Sequence, residues 1–245
     1  SVWIKNTNGN FVELRPEQRM PIDFQSSYDK VNTIDSLYPN VSTSIKYHGD
    51  WTKINYKHRI TKFKKSPLNI GDIVFVGNSI TEQGGDWSKK FNMPNIRNRG
   101  IAGDITDGVL ERINEITHYK PKSVFLLIGI NDLFNLHYQK EIPSVKYVAN
   151  NIIKITEIIH KKSPETKIYL QTILPTSEEY MADNINSVNT IIRNYENESH
   201  YELIDLFKVF VDSNGLIKPS LTTDGTHLNE LGYELWVKTI KNKLK

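Results

Sequence analysis

Asp72-Ile73-Val74-Phe75-Val76-Gly77-Asn78-Ser79-Ile80-Thr81 is the stretch on which the reading of this chain turns. Its first half is a short, largely apolar run bounded by Gly71 and Gly77, which reads as a parallel strand buried on both faces. Ser79 then falls where strand gives way to helix, at the C-terminal edge of a sheet, where open α/β sheets bind their ligands. A helix start at that edge offers unpaired N–H groups and a partial positive charge. Ser79 has two readings there: the cap of the helix, a place serine favours, or a hydroxyl held out for chemistry. The spacing does not fit Gly-x-x-x-x-Gly-Lys-Ser/Thr, which argues against a phosphate-binding loop.

Outward from this stretch the pattern repeats. Ser123-Val124-Phe125-Leu126-Leu127-Ile128 reads as another buried strand, Lys167-Ile168-Tyr169-Leu170-Gln171-Thr172 as a fourth, and Glu202-Leu203-Ile204-Asp205 as a fifth. Between them, Val145, Val148, Ile152, Ile155 and Ile159 space out a long amphipathic helix ended by Lys161-Lys162-Ser163-Pro164. Ile185, Val188, Ile191, Ile192 and Tyr195 mark another. Strand alternating with helix predicts an α/β fold whose parallel sheet is covered on both sides.

Three further words stand at strand ends or turns. Asn98-Arg99-Gly100-Ile101-Ala102-Gly103-Asp104 brings a Gly backbone that lets a substrate oxygen approach closely, with Asp104 placed to cap a helix carrying Ile105, Val109, Ile113 and Ile116. Gly129-Ile130-Asn131-Asp132 follows a strand and supplies a side-chain amide. Taken singly, Gly103 reads as well as a tight turn and Asn131 as an Asx-turn residue. Asp224-Gly225-Thr226-His227 is the most restrictive word. Its acid and imidazole lie three residues apart, in a loop of turn formers, ahead of a closing helix capped by Asn229 that carries Leu231, Leu235, Trp236 and Ile240 inward. A carboxylate so close can fix the tautomer that leaves the other ring nitrogen free as a base. The rival reading, a metal pair, lacks any His-Glu-x-x-His or Cys/His cluster to complete it. The other histidines, His48 among them, have no acidic companion of this kind and read as surface or packing residues. Hydroxyl, backbone N–H, amide and acid–base pair together make a kit for attack on an ester carbonyl.

Ser79, Gly103, Asn131 and His227 are where the chain resembles the SGNH-hydrolase superfamily, the GDSL-type esterases and lipases named for a Ser, Gly, Asn, His set. The resemblance runs over about residues 70–245, with all four motifs in order. It implies a flavodoxin-like three-layer sandwich with a central parallel sheet of about five strands, and neither a metal nor an organic cofactor. It implies Ser79, Asp224 and His227 as catalytic residues, with Ser79, Gly103 and Asn131 as the oxyanion hole. The family's first motif normally reads Gly-Asp-Ser, and here Asn78 replaces the Asp. That position is not one of the four catalytic groups, and its change bears on loop rigidity or local charge.

At 245 residues and 38% hydrophobic the chain can bury a full core, and with no cysteine it has neither disulfides nor thiol chemistry. A net charge of +3 is too small to argue for nucleic acid, and no apolar run approaches a transmembrane segment. Residues 67–245 are expected to form the catalytic domain, and residues 1–66 an extension packed on it. That extension is rich in aromatics (Trp3, Phe11, Phe24, Tyr28, Tyr38, Tyr47, Trp51, Tyr56) and ends in a solvated basic helix with Lys57, Arg59, Lys62, Lys64 and Lys65. A start at Ser1 with no visible signal peptide suggests a processed or truncated chain, secreted or periplasmic in a bacterium, with the cytoplasm as the alternative.

The expected activity is removal of small acyl groups, acetyl foremost, from carbohydrate O-esters through an acyl-enzyme; the alternative is a lysophospholipase or thioesterase. Only 23 residues separate Ser79 from Gly103 and 27 separate Gly103 from Asn131, leaving little chain for a lid. The loop Leu133-Phe134-Asn135-Leu136-His137-Tyr138 is too short and polar for a long acyl cleft, and Trp87 is open either to a sugar-stacking role or to the core.

Overall fold

Strand β3 (Ile73–Gly77) is buried at all five positions, as the decisive stretch requires. It pairs in parallel with β4 (Ile96–Gly100) on one side and β5 (Ser123–Leu127) on the other; β6 (Lys167–Gln171) and β7 (Tyr201–Ile204) continue the sheet in the order β4-β3-β5-β6-β7. The computed structural model describes residues 2–5, 11–14, 34–196 and 200–244. Contacts divide the chain into Ser1–Ser36 and Leu37–Lys245. In the first unit β1 (Val2–Lys5) and β2 (Phe11–Leu14) form an antiparallel pair. The side chains of Trp3 and Phe11, and Phe24 and Tyr28 entirely, lie outside the described residues.

The second unit is an α/β three-layer sandwich. On one face of the sheet Phe75, Phe125 and Tyr169 occupy paired positions and stack in a ladder, with centroids 4.9 and 4.6 Å apart. Helices α3 (Trp87–Phe91) and α10 (Glu230–Ile240) cover that ladder: Trp87 stacks on Phe75 at 4.4 Å, and Trp236 meets Trp87 edge-on at 4.9 Å. Burying each such ring stabilises the fold by about 1.5–3 kcal/mol. Trp87 is 1% exposed, so it is a core residue and not a sugar platform. Helices α4 (Thr106–Glu111), α5 (Ile113–Tyr119), α7 (Val145–Lys162) and α8 (Glu179–Tyr195) pack on one another in the opposite layer. Val148, Ile152, Ile155 and Ile159 of α7 are buried at the spacing read from the sequence.

Four local expectations are corrected. The periodicity over Ile105–Ile116 belongs to two short helices that break at Arg112. Asp104 caps neither, because its carboxylate is turned inward to Arg112 and His48. Leu231 is 56% exposed, leaving Gly232, Tyr233, Trp236 and Ile240 as the buried positions of α10. Helix α1 (Asp50–Lys65) is not wholly solvated: Tyr56, Ile60 and Phe63 are buried, the Tyr56 hydroxyl donates to Gly108 O at 2.7 Å, and Arg59 donates to Gly100 O at 2.8 Å. Residues 37–66 are thus built into the same unit as the sheet.

Arg112 explains the break between α4 and α5. Its guanidinium donates to the Asp104 carboxylate at 2.9 and 3.0 Å, to Arg99 O at 2.9 Å and to Gly77 O at 3.2 Å, tying the ends of β3 and β4 together. Asp104 is fully buried, and its Oδ1 also meets His48 Nε2 at 3.0 Å and accepts from Ile105 N at 3.0 Å. Arg112→Met removes one member of a buried pair and should destabilise the protein by about 3–5 kcal/mol, toward the lower end because His48 remains. Urea unfolding checks this, and a loss below 1 kcal/mol would mean that Asp104 does not depend on Arg112.

Candidate active site

Ser79 opens helix α2 (Ser79–Gln83) directly beyond β3. The cap is Asn78, whose Oδ1 accepts from Ile80 N at 3.1 Å, so the hydroxyl of Ser79 is not used to start the helix. An amide oxygen performs this task as a carboxylate would, which accounts for Asn78 in place of the family's Asp without loss of the turn. At five residues α2 cannot satisfy its own carbonyls, and its neighbours do so. The Asn98 amide donates to Thr81 O, Glu82 O and Gly85 O at 3.0 Å each, Trp87 Nε1 to Thr81 O at 3.1 Å, and the Tyr233 hydroxyl to Ile80 O at 2.7 Å. Gly100 is required by close approach: a Cβ there would stand 2.2 Å from Glu82 N.

The turn carrying Asp224 and His227 is closed by hydrogen bonds of its own threonines. Thr222 Oγ1 donates to His227 O at 2.6 Å and accepts from Gly225 N at 2.9 Å, while Gly225 O accepts from Ser177 N at 2.8 Å. Asn229 caps α10 as its sequence position predicts, accepting from Gly232 N at 3.0 Å, and its amide donates to Ser220 O at 2.8 Å. Held this way, His227 Nδ1 lies 2.7 Å from Asp224 Oδ2, and His227 Nε2 lies 2.9 Å from Ser79 Oγ. Ser79 is buried, whereas the imidazole and carboxylate face solvent in part. Partial burial works against the Asp224 carboxylate. It is outweighed by hydrogen bonds from the His227 peptide N–H, the imidazole and the Thr226 peptide N–H, together with the imidazole's charge, and the pKa falls to about 2. With the imidazole proton on Nδ1, facing the carboxylate, Nε2 accepts from the serine hydroxyl. A hydroxyl so held can lose its proton as it attacks a carbonyl.

Gly103 follows β4 and Asn131 follows β5, the strands on either side of β3, and a hydrogen bond ties Asn131 to the residue after Gly103. Gly103 has φ +83°, and the Asn131 amide donates to Asp104 O at 2.9 Å, which occupies one of its two N–H groups. The stretch after Asn131 is helix α6 (Ile130–Tyr138), not a loop. Asp132 is fully buried; its oxygens accept from Thr106 N at 3.1 Å and Thr106 Oγ1 at 2.6 Å. Burial pushes its carboxyl up to about 7, those hydrogen bonds offsetting only part of the cost and Asp107 adding to it.

Sequence reasoning missed the supports of this arrangement. His48 has an acidic companion after all, in Asp104, 56 residues away. Arg99 pairs with Glu115 at 2.7 Å, and Glu115 also accepts from the Tyr38 hydroxyl at 2.8 Å and Leu68 N at 3.2 Å. The available signal was Arg112 and Glu115 standing among Val109, Ile113 and Ile116, charges on a face that buries its neighbours.

A model of the GDSL-like Lipase/Acylhydrolase family matches residues 75–235. Platelet-activating factor acetylhydrolase IB subunit alpha2 of Rattus norvegicus is 29% identical over 170 residues, covering 66% of this chain and 71% of that protein, and the Homo sapiens protein matches equally. Among solved structures, a Streptococcus pneumonia protein named for platelet activating factor superposes with a TM-score of 0.69 at 27% identity, over 80% of this chain and 95% of its own. A GDSL-like lipase of Bacteroides thetaiotaomicron follows with a TM-score of 0.67 at 25% identity, over 78% and 97%. Matched over most of its sheet and through all four of its motifs, the chain belongs to the GDSL-like lipase/acylhydrolase family of the SGNH-hydrolase superfamily and is an acylhydrolase acting on esters.

Proposed function

We propose that the protein is a serine esterase that removes acetyl groups from carbohydrate O-esters through an acyl-enzyme. The observation that carries this reading is the hydrogen-bonded line from Ser79 Oγ through His227 to Asp224, at 2.9 and 2.7 Å. Ser79 Oγ forms a bond to the acyl carbon as its proton passes to His227 Nε2, and Asp224 holds the imidazole and steadies its charge. The oxyanion is held by the N–H groups of Ser79 and Gly103 and by the free N–H of the Asn131 amide. As the carbonyl re-forms, the bond to the alcohol oxygen breaks and His227 returns its proton to that oxygen. Water then repeats the sequence, giving its proton to His227 and its oxygen to the acyl carbon, and Ser79 leaves with the proton.

A small acyl group is supported by what lies beside the serine. A void of about 10 Å³ is lined by Asn78, Ile80, Ile128, Ile173 and Thr226, roughly the room of one water-sized sphere. Each further methylene would gain about 0.8 kcal/mol only if buried, and this void offers little room for it. The relatives named as acetylhydrolases agree with a two-carbon acyl group. The kcat/KM for p-nitrophenyl esters should fall at least about tenfold from acetyl to octanoyl. A fluorophosphonate should label Ser79 and no other serine. Faster turnover of octanoyl than acetyl esters would favour the lysophospholipase or thioesterase reading, and labelling elsewhere would remove Ser79 from the mechanism.

A further inference from the structure

Two spaces open beyond the C-terminal edge of the sheet. The small apolar void lies toward the residues that follow β6, Ile173 to Thr176. A much larger cleft of about 480 Å³ lies where Gly103 follows β4 and where residues 46–53, at the start of α1, line one wall and Asn131 and α6 another. Its volume falls in the range of about 300–1,000 Å³ usual for small-molecule sites. Gly103 and Asn131, the proposed oxyanion donors, both line this cleft.

The chemistry of the walls is specific. Lys46 and Lys53 are matched by Asp50 and Glu141, so neither sign of charge prevails, and Thr52, Asn135 and Gln139 add neutral hydrogen-bonding groups. The cleft has no continuous apolar track for a long alkyl chain: Ile105 and Phe134 are its purely hydrocarbon members. Phe134 is set by helix geometry. On α6, positions 131, 134, 135 and 138 share one face, so a single stripe runs outward from Asn131 through Phe134 and Asn135 to Tyr138. The Phe134 and Tyr138 rings lie within 14° of parallel, 6.3 Å between centroids, and Tyr138 is 59% exposed. Asn135 fixes the far wall, donating to Glu141 at 3.1 Å and accepting from Ile142 N at 3.1 Å.

We propose that the cleft between residues 46–53 and α6 is the subsite for the alcohol part of the ester and holds a neutral pyranosyl unit of a glycan, with one face of the ring stacked on Phe134. A pyranose presents hydroxyls around its rim and C–H groups on its faces, which matches charge-balanced polar walls that carry the aromatic rings of Phe134 and Tyr47. A long-chain ether glycerophosphocholine would leave its alkyl chain in water along this path. The proposal rests on the esterase reading of Ser79 and adds the substrate class and Phe134 as its specificity-determining residue.

The test compares mono-O-acetylated methyl glucopyranoside, p-nitrophenyl acetate and a 2-acetyl ether glycerophosphocholine on wild type, Phe134→Leu and Phe134→Trp. Wild type should release acetate from the sugar in preference to the lipid. Phe134→Leu, which keeps an apolar side chain and loses the aromatic plane, should lower kcat/KM for the sugar about tenfold relative to p-nitrophenyl acetate, mostly through KM. Phe134→Trp should restore the ratio. Equal losses on both substrates, or an unchanged ratio, would overturn the subsite. Turnover of p-nitrophenyl acetate with no release from the sugar would overturn the glycan assignment while leaving the esterase standing, and inactivity on all three would count against the esterase reading itself.

Discussion

Ser79→Ala should lower kcat for p-nitrophenyl acetate by about 10⁶-fold, the loss that follows removal of the nucleophile from a serine–histidine pair. The size of the effect comes from the absence of a substitute: no other hydroxyl hydrogen-bonds His227 Nε2 among the described residues. The fold should be unaffected. Asn78 caps α2, and Asn98, Trp87 and Tyr233 hold its carbonyls, so the serine hydroxyl contributes nothing to the start of the helix. Residual activity above a hundredth of wild type, in a variant with an unchanged urea midpoint, would assign the chemistry to another group.

That separation of chemistry from scaffold was only half visible in the sequence. The strands could be read because β3 and β5 are buried on both faces and therefore carry unbroken apolar runs. The α7 helix could be read because one face alone is buried, which imposes the helical period on Val148, Ile152, Ile155 and Ile159. Asp224 and His227 could be paired because they lie three positions apart and their contact is local. Ser79 is 148 positions away, and only its place at a strand end suggested that the fold would bring it to the imidazole.

The parts that were not legible depend on distant partners. Asp104 resembles a helix cap by its position, and nothing nearby reveals that Arg112 and His48 turn its carboxylate inward, where Ile105 N is the one backbone group that still bonds it. The residues following Asn131 are mixed in polarity because α6 buries Leu133 while turning Phe134 and Tyr138 toward open space, which reads as a loop when no period is long enough to judge. Trp87 stands close to the Ser79 stretch in sequence but is claimed by Phe75 and Trp236, and aromatic stacking of that kind leaves no trace in local spacing.

Asp224→Asn should lower kcat/KM by about 10⁴-fold, because it reverses the tautomer of the base. The carboxylate uses Oδ1 for the Thr226 and His227 N–H groups, at 3.0 and 2.8 Å, and Oδ2 for the imidazole. An asparagine can keep its oxygen on the two peptide groups only by turning its NH₂ toward Nδ1. The imidazole must then carry its proton on Nε2, where it can no longer accept from Ser79 Oγ. Asp224→Ala should cost less, since at 54% side-chain exposure water can enter and accept from Nδ1. The order of the two variants therefore distinguishes a tautomer effect from simple loss of charge, and an alanine variant slower than the asparagine one would refute it. The pH dependence follows from the lowered pKa. With a folded value of about 2 against 3.8, the carboxylate's contribution to stability is complete above the higher value and is lost as pH falls through the lower. Asp224 thus stays ionised across the range in which an esterase is assayed, and the ratio of wild-type to Asp224→Asn activity should be flat from about pH 5 upward wherever both hold the same His227 charge state. A ratio that collapsed toward one as the pH was lowered to 5 would show the carboxylate taking up its proton far above the value its hydrogen bonds impose.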